Sequence, residues 1–100
     1  MPIKSYDELL LKSLQDPNEA AEYLTACYED SATVFLQGLR MVVEAHGGIS
    51  ELAKKTNLNR ESLYRMLSEQ GNPQLSSLSV ILEQIGLSLS FSTSDKQELV

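Results

Sequence analysis

The chain has 100 residues, of which 42% are apolar and 22% charged, so it fits one globular domain and is not a wholly disordered protein. Eight basic residues against fourteen acidic ones give a net charge of −6, which by itself argues against a nucleic-acid coat or a polybasic membrane binder. The single cysteine, Cys27, excludes an internal disulfide framework and any thiolate-based zinc site.

The first 30 residues predict two helices. An apolar stripe predicts the first of them over residues 5–15, and it consists of Leu9, Leu10, Leu11 and Leu14. Asp16 followed by Pro17 predicts the start of the second, because aspartate caps helix N-termini and proline has the helical φ already set. This second helix should run to about Glu29. Two lysines against seven acidic residues give this segment a charge of −5, so we expect an acidic surface here.

A third helix should begin at a cap formed by Asp30 or Ser31 and end at two consecutive glycines, Gly47 and Gly48. His46, the single histidine, precedes those glycines, and we expect it to interact with the last carbonyls of this helix. The tyrosines of the second helix, Tyr23 and Tyr28, are expected to be partly buried between the first three helices, and the alternative is that they anchor a protein interface.

Residues 49–68, ISELAKKTNLNRESLYRMLS, predict two short helices joined by a three-residue turn. Ala53 provides a small residue where the two helices cross. Asn57 stands at the turn position that requires a positive φ, which asparagine tolerates better than other non-glycine residues. The inward faces are supplied by Leu52, Leu58, Leu63 and Met66 or Leu67. Together these features predict a helix-turn-helix.

The second helix of such a unit lies in the major groove of DNA, and its exposed side chains are therefore candidate DNA contacts. Asn59 should cap this helix. The predicted base or groove contacts are Arg60, Glu61, Tyr64 and Arg65, and the predicted phosphate contacts are Lys54, Lys55 and Ser62. Residues 47–68 carry four basic and two acidic side chains, a charge of +2, so the acidic average conceals a locally basic unit.

The last third of the chain predicts a turn-rich loop over residues 69–73, a helix over residues 76–85 and then a change of period. Apolar and polar residues alternate strictly over residues 87–92, which is typical of a half-buried strand. Since the sequence contains no second strand, we expect a partner strand from another copy of the chain. The predicted dimer-interface residues are Leu87, Leu89 and Phe91, followed by a flexible tail over residues 93–100.

The run from Gly47 to Leu89, with NRESLYRMLSEQGNPQLSSL at its centre, resembles the small bacterial antidote proteins of addiction modules. These are helix-turn-helix antitoxins similar to HigA, in the wider Cro/CI group. The upstream segments DPNEAAEYL and FLQGLRMVVEAHGG also resemble that family, so the resemblance covers about nine-tenths of the chain. Asn57 and Asn59 stand where the family usually has glycine and serine, which leaves the geometry of the turn intact.

The resemblance implies an all-α single domain of five to six short helices with a Cro/CI-like helix-turn-helix and a short C-terminal β-strand. It also implies a homodimeric repressor of its own operon that neutralises a RelE/ParE-like toxin, as the antitoxin of a type II module. Residues 1–46 would face the toxin, where their acidity complements a basic partner. Residues 47–86 would bind double-stranded operator DNA, and residues 87–92 would form the dimer interface.

Two alternatives stay open at this point: a stand-alone, phage-type Cro/CI-like regulator without a toxin partner, and a toxin-binding module whose DNA binding is secondary or lost. An enzyme is not expected, because the chain has no Gly-x-Ser-x-Gly elbow, no phosphate-cradling glycine loop and one histidine. We expect no cofactor, metal, small-molecule substrate or membrane partner. Without a signal-peptide core or an apolar run of about 20 residues, the expected location is the cytoplasm.

Overall fold

A computed structural model of the protein describes residues 2–68 and 70–94, with side chains described from residue 7 onward. These residues form six helices and no strand: α1 (Pro2–Ser13), α2 (Pro17–Asp30), α3 (Ala32–Ala45), α4 (Gly48–Thr56), α5 (Arg60–Met66) and α6 (Leu75–Gln84). The prediction of an all-α fold with five to six short helices is thus confirmed over this part of the chain.

The two capping residues predicted near the N-terminus shape the first three helices. Asp16 accepts a hydrogen bond from the Asn18 amide at 2.9 Å, and Pro17 begins α2. Ser31 separates α2 from α3 by one residue, and its hydroxyl oxygen accepts from the Val34 amide at 3.1 Å. Of the two predicted cap residues for α3, the serine therefore performs the role.

Helices α2 and α3 form an antiparallel hairpin. Tyr28 contacts Phe35 near the turn, whereas Cys27 lies against Gly38 further from it. A Cβ at position 38 would come within 2.7 Å of the Cys27 sulfur, so glycine allows the two helices to approach closely. Burial raises the pKa of the Cys27 thiol, which is consistent with a small residue packed at a helix crossing.

The hydrophobic core is centred on α3, which packs against α1, α2 and α4. Each helix from α2 to α6 contributes buried side chains to this core, and Leu14, which directly follows α1, contributes one from that end of the chain. The members are Leu14, Ala20, Leu24, Leu39, Val42, Val43, Ile49, Leu52, Leu63, Leu67, Ile81, Leu82 and Ile85. Leu39 and Val42 are fully buried. Because α4 in turn packs against α5 and α6, the C-terminal half is supported by the same core.

The junction between α3 and α4 differs from the sequence prediction in one contact. Gly47 and Gly48 adopt φ values of 108° and 87°, as the predicted helix end requires. However, the His46 ring does not turn back onto α3: its Nε2 lies 3.2 Å from the carbonyl oxygen of Leu14. His46 thus ties the end of α1 to the end of α3, because the two segments come together only in the folded chain.

The predicted C-terminal strand is wrong. Residues 87–94 are not assigned to a strand, and the reason lies at the end of α6. Gly86 has a φ of 83° and donates to the Glu83 carbonyl at 3.1 Å, while Leu87 donates to the Leu82 carbonyl at 2.8 Å. This is a Schellman cap, which turns Leu87 back against its own helix. Of the predicted flexible tail, residues 95–100 lie outside the described residues.

Truncating the centre of the core should reveal its contribution to stability. Leu39→Ala is expected to lower the free energy of unfolding by about 2–5 kcal/mol, because it removes buried methyl groups and leaves a cavity. Urea denaturation followed by circular dichroism measures this. Leu75→Ala, at a side chain that is 67% exposed, should change it by less than about 0.5 kcal/mol. Equal effects of the two substitutions would contradict the assignment of the core.

The turn between α4 and α5 offers a second test. Asn57 has a φ of 61°, so Asn57→Gly should keep or raise stability, whereas Asn57→Val should lower it by about 1–2 kcal/mol. At Asn18, in the first turn of α2, the glycine variant should instead be less stable than the valine variant, since glycine disfavours a helix more than valine does. The same order of stability at both positions, measured by thermal unfolding, would exclude a left-handed conformation at Asn57.

Candidate functional site

Helices α4 and α5 are joined by three residues whose hydrogen bonds hold both helix ends. The Asn57 amide donates to the Ala53 carbonyl at 3.0 Å and ends α4. The Thr56 hydroxyl donates to the Leu52 carbonyl at 2.7 Å, and its oxygen accepts from the Leu58 amide at 3.2 Å. The turn is therefore closed by side-chain as well as backbone bonds, and it orients α5 relative to α4.

Helix α5 is anchored at both ends by groups that the sequence predicted. Asn59 caps it, accepting a hydrogen bond from the Ser62 amide at 3.1 Å. Leu63 and Leu67 are fully buried in the core. With these two leucines directed inward, the opposite side of α5 is turned to solvent.

The exposed side of α5 carries the four predicted base or groove contacts, Arg60, Glu61, Tyr64 and Arg65. The Arg60 guanidinium lies 5.7 Å from the centre of the Tyr64 ring, in the range of a cation–π contact. Tyr64 is 45% exposed. One arginine is thus partly ordered by stacking, with its donors still open to solvent.

The structure divides the predicted contacts on α5 into two groups. Arg60 and Tyr64 form one pair, whereas Ser62 and Arg65 line a cleft between α5 and the beginning of α6. This α5–α6 cleft has a volume of about 440 Å³, and its lining residues are Ser62, Arg65, Met66, Gln70, Gly71, Asn72, Gln74 and Ser77. One side of α5 therefore presents the Arg60–Tyr64 pair, and the neighbouring side presents the Ser62 hydroxyl and the Arg65 guanidinium to the cleft.

The sequence missed the polar residues that α6 and its preceding loop add to this cleft. Residues 69–73 were predicted only as a turn-rich loop. The signal that could have found them is the spacing of Gln70, Asn72 and Gln74, three amide side chains at alternate positions directly after the predicted DNA-binding helix. Their proximity to Arg65 depends on the fold.

The two predicted phosphate-binding lysines lie in the last turn of α4, where a positive charge favours the negative end of the helix dipole. Both Lys54 and Lys55 are exposed. Lys55 also lines a small crevice that includes His46 and Gln84, so it lies near the ends of α3 and α6. Lys55 is therefore exposed and also borders this crevice.

The N-terminal helices present the acidic surface that the composition predicted. The exposed carboxylates of α1, α2 and the turn between them are Asp7, Glu8, Asp16, Glu19, Glu22, Glu29 and Asp30. Tyr28 is 65% exposed, so the expectation that it is partly buried is wrong, while Tyr23 is half-buried as predicted. The Tyr28 ring meets Phe35 edge-on at 5.8 Å and is held at the rim of the hairpin.

The three predicted dimer-interface residues do not share one environment. Leu87 packs against the hydrophobic core of its own chain. Leu89 is 43% exposed and Phe91 is 94% exposed, so two of the three present apolar side chains to solvent.

The described part of the chain shows neither a metal-binding cluster nor a membrane-spanning helix. No group of three or more histidine, cysteine, aspartate or glutamate side chains there is placed to hold a metal ion. Within residues 2–68 and 70–94, no helix has the length and apolar character needed to cross a membrane.

Comparison with known proteins identifies the family. No curated protein and no solved structure gives a significant match to the chain. The model of one family, described as "Probable addiction module antidote protein", matches residues 3–93. The match includes the acidic helices α1 and α2 as well as the α4–α5 unit and the cleft. The chain therefore belongs to this family of addiction module antidote proteins.

Proposed function

We propose that the protein is the antitoxin of a type II toxin–antitoxin module, which represses its own operon and neutralises a RelE/ParE-like toxin in the cytoplasm. The match to the antidote family over residues 3–93 is the observation that carries this proposal. It favours the antitoxin over a stand-alone, phage-type regulator, because an antidote requires a toxin to neutralise.

Binding to operator DNA is the role we assign to α4 and α5. Two short helices, a three-residue turn with a left-handed asparagine and a capped second helix fit a Cro/CI-like helix-turn-helix. In this proposal α5 enters the major groove. Arg60 can bind guanine through two hydrogen bonds, Glu61 can accept from cytosine, and Tyr64 can contact a thymine methyl or a phosphate. Lys54, Lys55 and Ser62 would contact the backbone.

The length of α5 supports binding as a homodimer. Its seven residues span about 10 Å at 1.5 Å per residue, which matches about three base pairs. One copy therefore reads too little sequence to select an operator. Two copies whose α5 helices lie about 34 Å apart would reach successive major grooves on one side of the duplex.

The exposed Leu89 and Phe91 support an interface between copies at the C-terminal segment, next to the packed Leu87. Burial of these side chains by a second chain would remove apolar surface from water. This proposal requires no strand pairing, since residues 87–94 are not assigned to a strand.

The acidic N-terminal half, residues 1–46, is the surface we assign to the toxin. Residues 1–30 carry a charge of −5, which favours a basic partner such as a ribonuclease-like toxin that binds RNA. Exposed tyrosine is common among the residues that dominate binding energy at protein interfaces. Tyr28, held against Phe35 amid these carboxylates, is therefore the expected apolar anchor.

Loss of a single reading residue should weaken operator binding. Arg60→Ala is expected to reduce affinity for a duplex of the chain's own promoter region by about 5- to 150-fold and to relax selectivity at one base pair. A mobility-shift titration measures both. Arg40→Ala, which removes the same charge from an exposed position on α3, should have a much smaller effect. Native-like binding by both Arg60→Ala and Arg65→Ala would contradict the assignment of α5 to the groove.

Toxin binding needs a test that leaves the fold intact. Deleting residues 1–30 would remove the buried Ala20 and Leu24, so surface substitutions are cleaner. Tyr28→Ala and the charge reversal Glu22→Lys should each weaken binding to the toxin encoded beside the chain by about fivefold or more, with operator binding unchanged.

Glu83→Lys, a reversal at an exposed position on α6, is the matched control for this experiment and should leave toxin binding as in the native protein. Calorimetric titration with the purified toxin measures all three variants. Native affinity in both α2 variants, or an equal loss in the α6 control, would move the toxin interface away from the N-terminal half.

A further inference from the structure

Arg60 and Tyr64 are neighbours on the outer side of α5. They stand four positions apart, which on a helix places two side chains next to each other on the same face. The Arg60 guanidinium lies over the Tyr64 ring, 5.7 Å from its centre. The hydrogen bond from the Ser62 amide to the Asn59 side chain fixes the first turn, where Arg60 begins the helix. The contact therefore belongs to a part of α5 whose backbone is already held in place.

Tyr64 is the side chain that restrains the Arg60 guanidinium. Across residues 7–68 and 70–94, Arg60 makes no ion pair and no side-chain hydrogen bond. Glu61, the next residue, does not face it, because consecutive positions on a helix point in different directions. Contact with a ring removes part of the rotamer freedom of an arginine before a ligand arrives. The N–H donors lie in the plane of the guanidinium, so a ring on its face leaves them free.

This arrangement suits the recognition of guanine. In the major groove guanine presents two acceptors, N7 and O6, in the plane of the base, and arginine binds both when its guanidinium lies in that plane. Successive base pairs stack about 3.4 Å apart. A ring on the face of a guanidinium that binds guanine therefore lies at the level of the neighbouring base pair.

The neighbouring base pair would meet an apolar ring. Tyr64 is 45% exposed while it contacts Arg60, so the ring retains free surface for a second contact. Among the groups that base pairs present in the major groove, the C5 methyl of thymine is the apolar one, and apolar side chains contact it. The ring therefore favours thymine beside the guanine, and neither contact requires its hydroxyl.

We infer that Tyr64 is a positioning residue for Arg60, and that the two side chains read a guanine and a thymine on the neighbouring base pair as one unit. The inference rests on the proposed DNA binding by α5 and deepens it, because it names the pair of neighbouring bases that this helix selects. It also decides between the two contacts open to Tyr64. The ring acts on Arg60 and on a thymine methyl, and the hydroxyl does not bind a phosphate.

The first test compares two substitutions of Tyr64 in mobility-shift titrations of the full-length protein on a duplex of its own promoter region. Tyr64→Ala should weaken binding about 3- to 30-fold, because it removes the ring from the guanidinium. It should also reduce the preference for guanine at the base pair where Arg60→Ala relaxes selectivity, although Arg60 is still present. Tyr64→Phe, which keeps the ring and lacks the hydroxyl, should retain native affinity and native preference. Tyr28→Ala, which removes another exposed tyrosine ring, is the matched control and should bind as the native protein.

Deoxyuridine in the duplex tests the thymine contact, because it removes the methyl and keeps the hydrogen-bonding groups of thymine. One deoxyuridine beside the guanine should weaken binding of the native protein about threefold, as expected for the loss of one buried methyl group. The same duplex should have little further effect on Tyr64→Ala, since ring and methyl are partners in one interaction. Cytosine at that position should also bind the native protein weakly, and 5-methylcytosine should recover part of the affinity. The native protein therefore tests the thymine contact even if Tyr64→Ala does not fold.

The outcomes separate the inference from the function on which it rests. An equal loss in Tyr64→Phe and Tyr64→Ala assigns the contact to the hydroxyl and overturns the inference, while DNA binding by α5 stands. A loss in Tyr64→Ala with the guanine preference unchanged overturns it as well, and so does deoxyuridine without effect at every thymine beside that guanine. Native-like binding by both Arg60→Ala and Arg65→Ala, or absence of DNA binding by the native protein, overturns the proposed function of α5 together with the inference.

Discussion

Burial of Leu63 and Leu67 is the interaction on which the candidate site depends. A seven-residue segment does not form a stable helix in water, because helix nucleation costs more than one or two turns can recover. Helix α5 therefore exists because these two fully buried leucines attach it to the core. Since they fix the inward side, they also fix which residues face outward, and the orientation of Arg60 and Tyr64 follows from packing on the other side of the helix.

Charge is distributed along the chain in agreement with this architecture. The carboxylates concentrate on α1 and α2, which both pack against α3, whereas the α4–α5 unit carries a small positive charge and is supported through α4. A net charge of −6 describes neither surface. One small core thus supports two surfaces of opposite local charge, and long-range attraction depends on such local charge within about a Debye length.

Most element boundaries followed from local chemistry that the sequence shows directly. The Asp16–Pro17 start of α2, the Ser31 cap, the glycines after α3 and the left-handed Asn57 are each determined by interactions within a few residues. The prediction of a C-terminal strand was wrong for a complementary reason. Alternation of apolar residues is compatible with a strand, but a strand needs a partner, and the cap at Gly86 directed the chain back to its own helix instead.

The sequence by itself determined the helices, the inward leucines of α5, the candidate contacts on its outer side and the resemblance to antidote proteins. Tertiary structure alone decided which distant groups meet: His46 with the carbonyl of Leu14, and Arg65 with the amides of Asn72 and Gln74 in one cleft. It also decided that Tyr28 is exposed. The physical reason is the separation along the sequence over which each kind of interaction acts. Caps, turns and periodicity act over about one helical turn, whereas a cleft or an exposed ring depends on how helices far apart in sequence pack.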